Sequence, residues 1–441
     1  MKHIFCACLF IVIVATSCQH VTRDHPALQN SAIKDVITKM TDVMIHDVTN
    51  PPLAARFFSY ACLAGYEVTV QNDKAFTSMH GVLNNYPVIH TPDSVEGHSY
   101  TLSAILAMLE TAKKMQPSGK LLSDYEEQLI DSCKKMGFPE EVINSSKKYA
   151  MAISRQILAY AKADGYNKIS NLPRYTPMNQ PGSWYPTPPA YIAAVEPYFK
   201  TVRPFTLDSS SQFKPIPPVA FSANKESAFY KQLLLQNYKE GDGSPEEHRI
   251  IAGFWDCNPF AVQDEGHMSV GLKKISPGAH WLGIANIACI KAGKNFSATM
   301  EINTVVAIGL MDSFIACWDE KFRSNRIRPE TAIRKLINTD WKPLLQTPPF
   351  PEYLSGHSCI SATSATILTH YIGDNFKYTD SVEVSYGLAP RSFTSFQQAA
   401  TEAGISRFYG GIHFMDAINN GRAQGLQVGQ WVLKTINAGK K

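Results

Sequence analysis

The sequence has few of the features that would place a chain in several large functional classes. Its 441 residues carry a net charge of only +4. No Lys/Arg block or basic stripe with interleaved aromatics occurs, which argues against a nucleic-acid surface. Beyond the N-terminus no uninterrupted apolar run reaches 18 residues, so no bundle of membrane spans is expected. Strand patterns are poor and no internal repeat is visible. Six of the nine cysteines, Cys62, Cys133, Cys257, Cys289, Cys317 and Cys359, are scattered without a CxxC pair, so spacing points to neither a metal site nor a redox motif. Cys289 and Cys317 lie in apolar stretches, as buried free thiols do.

What is present begins with a leader. Lys2 precedes an apolar run from Ile4 to Ala15, then the small residues Thr16 and Ser17, then Cys18. This predicts a signal peptide over residues 1–18, with lipidation of the Cys18 thiol and export to the periplasm or cell surface. Membrane contact is then expected only through that lipid anchor.

Helical periodicity dominates the remainder. Helices are expected at Ala32–Val48, Ser99–Met115, Tyr125–Met136, Glu140–Asp164, Glu226–Tyr238, His280–Ala292, Ala298–Lys321, Ser358–Tyr371, Ser395–Ala403 and Ala417–Ala438. Ala298–Lys321 is apolar on nearly every face, as a helix central to a bundle would be. Residues 171–220 hold eleven of the 27 prolines together with eight tyrosine, tryptophan and phenylalanine residues. A solvated linker seldom carries that aromatic load, so an ordered covering segment near a pocket mouth is expected. The fold class is therefore all-α. A helical half (19–170) and the covering segment (171–220) precede a C-terminal helical bundle (221–441).

Three segments carry chemistry. Lys321-Phe-Arg-Ser-Asn-Arg-Ile-Arg328-Pro329 places four cations at the end of the central helix, where the helix dipole favours them. Ser355-Gly356-His357 opens an Ala/Ser/Thr-rich helix. Its free N–H groups and dipole suit an anion, and His357 stands beside them as a proton carrier. Ser406-Arg407-Phe-Tyr-Gly-Gly-Ile-His413 supplies a guanidinium able to grip an oxyanion through two bonds, and a second histidine. Asp416, three residues on, shares a helix face with His413 and is expected to fix its tautomer. Taken singly, each segment also reads as an ordinary helix end, N-cap or packed histidine. Trp318 reads equally as core packing. His267 and His280 receive no role, and a loop or helix-cap position is expected for them.

Taken together and in order, Lys-x6-Arg-Pro, Ser-Gly-His and Ser-Arg-x5-His resemble the signature of the type 2 phosphatidic acid phosphatase and vanadium-dependent haloperoxidase superfamily. The stretches around Trp318–Lys321, Arg328–Arg334, Pro348–Tyr353, Ile250–Trp255, Pro277–Trp281 and Pro181–Pro189 resemble its soluble bacterial haloperoxidase branch. The resemblance implies a helical-bundle fold and a site for vanadate, which phosphate can also occupy. Lys321, Arg328, Ser355, Gly356 and Arg407 would hold the oxyanion, His413 would be its axial partner, His357 the acid–base, and Trp318 an aromatic near the halide. It implies hydrogen peroxide and a halide as small-molecule substrates. The alternative is a phosphatase acting on phosphomonoesters through a phosphohistidine at His413. A third reading is an oxyanion-binding lipoprotein without turnover. Two departures stand out: Leu354 replaces the usual proline before Ser-Gly-His, and Ala417 stands where an aspartate is usual.

Overall fold

The computed structural model describes residues 26–92, 94–239, 244–264 and 269–439. Thirteen α-helices occur among the described residues: α1 (Ser31–His46), α2 (Pro51–Asn72), α3 (Tyr100–Met115), α4 (Leu122–Lys135), α5 (Glu140–Lys162), α6 (Ala228–Lys239), α7 (Glu246–Phe254), α8 (Pro277–Lys291), α9 (Phe296–Ser324), α10 (Pro329–Leu336), α11 (Gly356–Ile372), α12 (Phe396–Tyr409) and α13 (Met415–Ala438). The only strands described form two antiparallel hairpins of three-residue strands. These are β1 (Val262–Asp264) with β2 (Ser269–Gly271), and β3 (Tyr378–Asp380) with β4 (Arg391–Phe393). The all-α reading therefore holds. Cys18 and His267 lie outside the described residues.

Helix α9 is the axis. Its start is capped by Asn295, whose side chain accepts from the Ala298 N–H at 2.9 Å. Its end is set by Asn325 in the left-handed region, φ 47°. From Thr299 to Lys321 every residue is buried, against α2 on one side and α8, α11 and α13 on the others. α9 is the one helix among the described residues long and apolar enough to cross a membrane, and its apolar window is wholly covered by protein.

Three helices escape the sequence patterns. α2 is apolar all round, so it has no amphipathic contrast to detect; Asn50 caps it and Pro51 and Pro52 occupy its first positions. α7 and α10 have only nine and eight residues. α8 starts earlier than periodicity suggests, because Ser276 caps it and Pro277 fits the first helical position.

The 171–220 segment is ordered along the bundle. The Trp184 N–H donates to the Asn325 carbonyl at 2.9 Å, and the Val195 N–H to that of Pro349 at 3.0 Å. The N–H groups of Phe205 and Thr206 both donate to the Asp312 carboxylate, at 2.7 and 2.8 Å. The segment thus clamps α9 and the strand-like approach to α11.

Helices α11 and α13 pack closely, and glycine makes this possible. A Cβ built on Gly421 would lie 2.9 Å from the Ser355 carbonyl, and one on Gly425 would lie 2.1 Å from that of Cys359. These glycines, with Gly429, bring the α13 backbone against the first turns of α11, where Ser355-Gly356-His357 begins. An exposed helical Gly→Ala change ordinarily gains about 1 kcal/mol. Here Gly425→Ala must push two backbones apart, and overpacking costs about 1–3 kcal/mol. The net prediction is a lower melting temperature for Gly425→Ala in thermal denaturation; an unchanged or raised value would contradict this packing.

Candidate active site

The three cation-bearing segments meet at one place. Trp318, Gly356, His357, Arg407 and His413 line one cavity, together with Pro51, Cys257, Phe260, Pro277, Phe314, Phe350 and Ile412. Lys321, Arg328 and Ser355 stand directly behind that wall, fully buried. No residue of 171–220 lines the cavity. The segment covers the rim from behind, Val195 bonding Trp318 and Pro349, while the apolar rim itself comes from the starts of α2 and α8 and from the Phe260 and Pro348–Phe350 loops.

Each buried cation is held by neutral carbonyls. Lys321 Nζ donates to the carbonyls of Pro351 (2.9 Å), Glu352 (3.2 Å) and Leu354. Leu354 therefore removes nothing from the site, since its carbonyl helps hold the lysine. Arg328 donates through Nε to the Phe350 carbonyl at 2.9 Å and through Nη1 to that of Ile412 at 2.9 Å. Arg407 Nη1 donates to the Trp255 carbonyl at 2.8 Å; the Asp256 carboxylate is 3.8 Å from its other terminal nitrogen. Arg328 Nη2, Arg407 Nε and His357 Nε2 remain buried without any hydrogen-bond partner. The two orphaned guanidinium donors, this deep in a protein, are costly unless something pairs with them. An anion in the cavity is the chemically matched partner, and a tetrahedral oxyanion has enough oxygens for several such donors.

Helix α11 adds its N-terminus. Ser355 is the cap, with Oγ accepting from the Ser358 N–H at 3.3 Å and the Ser358 hydroxyl at 2.9 Å. Gly356 follows on the cavity wall, its built Cβ 3.6 Å from the Trp318 ring. Trp318 packs on Phe314 and Phe350 and donates from Nε1 to the Val195 carbonyl at 3.2 Å. It is thus both a core residue and part of the lining.

The tautomer of His413 follows from its neighbours. Arg328 Nη1, which can only donate, lies 3.2 Å from His413 Nε2. Nε2 must then be the lone-pair nitrogen, and Nδ1 carries the proton, given to Glu352 Oε1 at 2.9 Å. Burial, then Arg328, Lys321, Arg407 and His357, hold the His413 pKa well below the ordinary histidine value, so the ring is neutral. His357 is also held low, by burial and then Arg407, while its contact with the Trp255 carbonyl works the other way.

Asp416 does not support His413. Its carboxylate takes Arg326 Nη1 at 2.7 and 2.8 Å and the Val219 N–H at 3.1 Å. A place three residues along α13 turns it outward to Arg326, and Glu352 reaches the imidazole from the loop before α11 instead. Glu352 also accepts the Phe414 N–H at 2.9 Å and lies 3.3 Å from Arg326. Sequence reasoning quoted Glu352 within Pro351-Glu-Tyr without a role; a carboxylate three residues before the Ser-Gly-His turn was the available signal. His280, expected at a loop or cap, is fully buried on α8 and bonds Asp380 Oδ2 at 2.7 Å.

Burial pushes the Glu352 carboxyl up to about 7 and Lys321 down to about 8. Rising pH therefore adds a negative charge and then removes a positive one beside the cavity. Sulfate keeps its charge across this range, so its affinity is predicted to fall as pH rises from about 6.5 to about 9, measured by calorimetry; a flat profile would contradict the placement of both groups. Glu352→Gln should weaken binding of vanadate, which His413 would ligate, about 10–100-fold, as loss of a ligand's orienting partner does, and should not weaken that of sulfate. Asp416→Ala should leave vanadate binding nearly intact while lowering stability by about 1–3 kcal/mol through Arg326. Equal losses of affinity in the two variants would restore Asp416 as the support of His413.

Comparison with known proteins agrees with this geometry. The family described as the VCPO second helical-bundle domain matches residues 301–439. No curated protein matches the chain. Among solved structures, one described as the first bacterial vanadium-dependent iodoperoxidase is 40% identical, with a TM-score of 0.86; the match covers 93% of this chain and 97% of that one. The holo and apo forms of a bacterial vanadium-dependent chloroperoxidase share the fold at 16% identity. Their TM-scores are 0.62 and 0.66, with 92% and 89% of this chain and 93% and 95% of theirs covered. With the first of these relatives matched over nearly its whole length, the chain belongs to the vanadium-dependent haloperoxidase family.

Proposed function

We propose that this protein uses vanadate and hydrogen peroxide to oxidise iodide. The observation that carries the reading is the set of orphaned, buried donors on Arg328 and Arg407 beside a neutral His413 whose Nε2 lone pair is free of protons. These residues fit a tetrahedral oxyanion whose central atom would also take a nitrogen ligand. Arg328, Arg407 and the α11 N-terminus at Ser355-Gly356 would neutralise its oxygens, with Lys321 adding charge from behind, and His413 Nε2 would bind the metal once Arg328 Nη1 yields.

Vanadate, when bound, supplies a Lewis-acidic centre that polarises hydrogen peroxide toward halide attack. The net reaction consumes halide, hydrogen peroxide and a proton, and releases hypohalous acid and water. His357 handles protons here. Its partnerless Nε2 belongs to a neutral ring on the cavity wall, so it can take a proton from entering peroxide and return it to the departing oxygen. Glu352 keeps His413 in the binding tautomer. Phe260, Phe314, Trp318, Phe350 and Ile412 make the rest of the wall apolar. Such a wall excludes water and favours the halide that loses hydration most readily, which is iodide; chloride is the most costly to desolvate. The 40% identical relative, an iodoperoxidase, supports the same choice.

The test is peroxide-dependent halide oxidation by purified protein loaded with vanadate. Iodide oxidation is expected to exceed bromide oxidation and to require vanadate. It should be abolished by His413→Ala and reduced about 10²–10⁴-fold by His357→Ala. Phosphomonoester hydrolysis with no halide oxidation would replace this reading with a phosphatase using the same pocket. We further propose that the protein is exported and anchored through lipidated Cys18; radiolabelled palmitate should enter the wild type and not Cys18→Ser.

A further inference from the structure

A second cluster lies against the same cavity and is used by none of the chemistry above. Cys257 follows α7, His280 sits in the first turn of α8, and Glu383 lies in the short turn after β3. All three are buried, and their ligand atoms converge. Cys257 Sγ is 3.5 Å from His280 Nδ1 and 3.6 Å from Glu383 Oε1, and Nδ1 is 3.4 Å from that oxygen. We infer that Cys257, His280 and Glu383 form a binding site for a divalent transition metal, with zinc the best match.

The spacing is the first argument. A tetrahedral zinc bonded at about 2.0–2.3 Å to sulfur, nitrogen and oxygen keeps those atoms about 3.3–3.6 Å apart. The three observed separations match that triangle. The two sulfur distances also suit thiol hydrogen bonds, but the Nδ1–Oε1 separation does not match an imidazolium bonded directly to carboxylates on both sides. A charged N–H···O bond runs about 2.7–2.9 Å. His280 makes one such bond, at 2.7 Å, from Nε2 to Asp380. On the Nδ1 side the gap to Glu383 is too wide for a bond of that kind and wide enough for an ion.

The outer contacts give the second argument. Asp380 takes the Nε2 proton, so an ion that displaces the Nδ1 proton would meet a lone pair there, the orienting arrangement usual behind a metal-bound histidine. Asp380 is itself fixed by the Val382 N–H at 3.0 Å. The Trp255 ring stacks on His280 at 4.7 Å, and the Trp255 carbonyl holds Arg407. Cys257 lines the oxyanion cavity, which gives an ion its entry path and leaves a fourth coordination position for water. Soft sulfur with imidazole and one carboxylate suits zinc over calcium or magnesium, which prefer oxygen alone.

The test is the metal content of untagged full-length protein grown with added zinc and dialysed against a weak chelator. Elemental analysis should find about one zinc per chain, separate from vanadium measured in the same sample. Cys257→Ser and Glu383→Gln should each lower zinc retention by about 10-fold or more. Cobalt replacement should give a thiolate-to-cobalt charge-transfer band that Cys257→Ser lacks. Wild-type protein that retains no zinc and shows no such band overturns the proposal, and does so even if the variants fail to fold. Retention unchanged in both variants would place the ion elsewhere and overturn it equally.

Discussion

The structure depends on burying cations whose hydrogen bonds go to backbone carbonyls, with only the Asp256 carboxylate, 3.8 Å from Arg407, to offset their charge among the described residues. Lys321, Arg328 and Arg407 sit in the bundle interior with backbone carbonyls as partners. The nearest acids are shared: Glu352 with His413 and Arg326, Asp416 with Arg326, and Asp256 between Lys274 and Arg407, whose terminal nitrogen is 3.8 Å away. Carbonyl dipoles orient a cation but do not cancel its charge. The site therefore keeps a positive potential in a low-dielectric place, where the cost of unpaired charge is greatest. That cost becomes affinity when an oxyanion enters.

Holding such a cluster needs a rigid frame, and the surrounding elements supply it. α9 ends at Asn325 in the left-handed region, which turns the chain so that Arg326 and Arg328 point back into the bundle. Gly421 and Gly425 let α13 press against the start of α11, fixing Ser355 and Gly356 beside it. Trp255 links Arg407 and His357 through its carbonyl and the His280 cluster through its ring. Two histidines kept neutral by this field then have lone pairs available, one for binding and one for moving a proton.

Much of this was legible in the sequence because the chemistry is concentrated in three short motifs. Lys321, Arg328, Ser355, Gly356, His357, Arg407 and His413 are singled out because their three motifs together resemble one family's signature, and the structure brings them to one cavity; the fold class is read from periodicity. What escaped lay in long-range geometry. α2 has no polar face, so nothing in its pattern distinguishes helix from strand, yet its first residue, Pro51, reaches the cavity. Asp416 has the helix spacing to support His413, but Glu352 arrives from another segment and Arg326 claims the aspartate. His280 looked idle because its partners are 23, 100 and 103 residues away in sequence.

The most direct test of the central claim is the melting temperature of the wild-type protein across a vanadate titration. If the buried cations are an unmet electrostatic demand, vanadate binding should stabilise the folded chain by about 2.7 kcal/mol at a hundredfold excess over its dissociation constant. The melting temperature should then climb steadily with the logarithm of concentration. A melting temperature indifferent to vanadate at every concentration would mean that the cluster is already compensated within the protein, and would contradict the account.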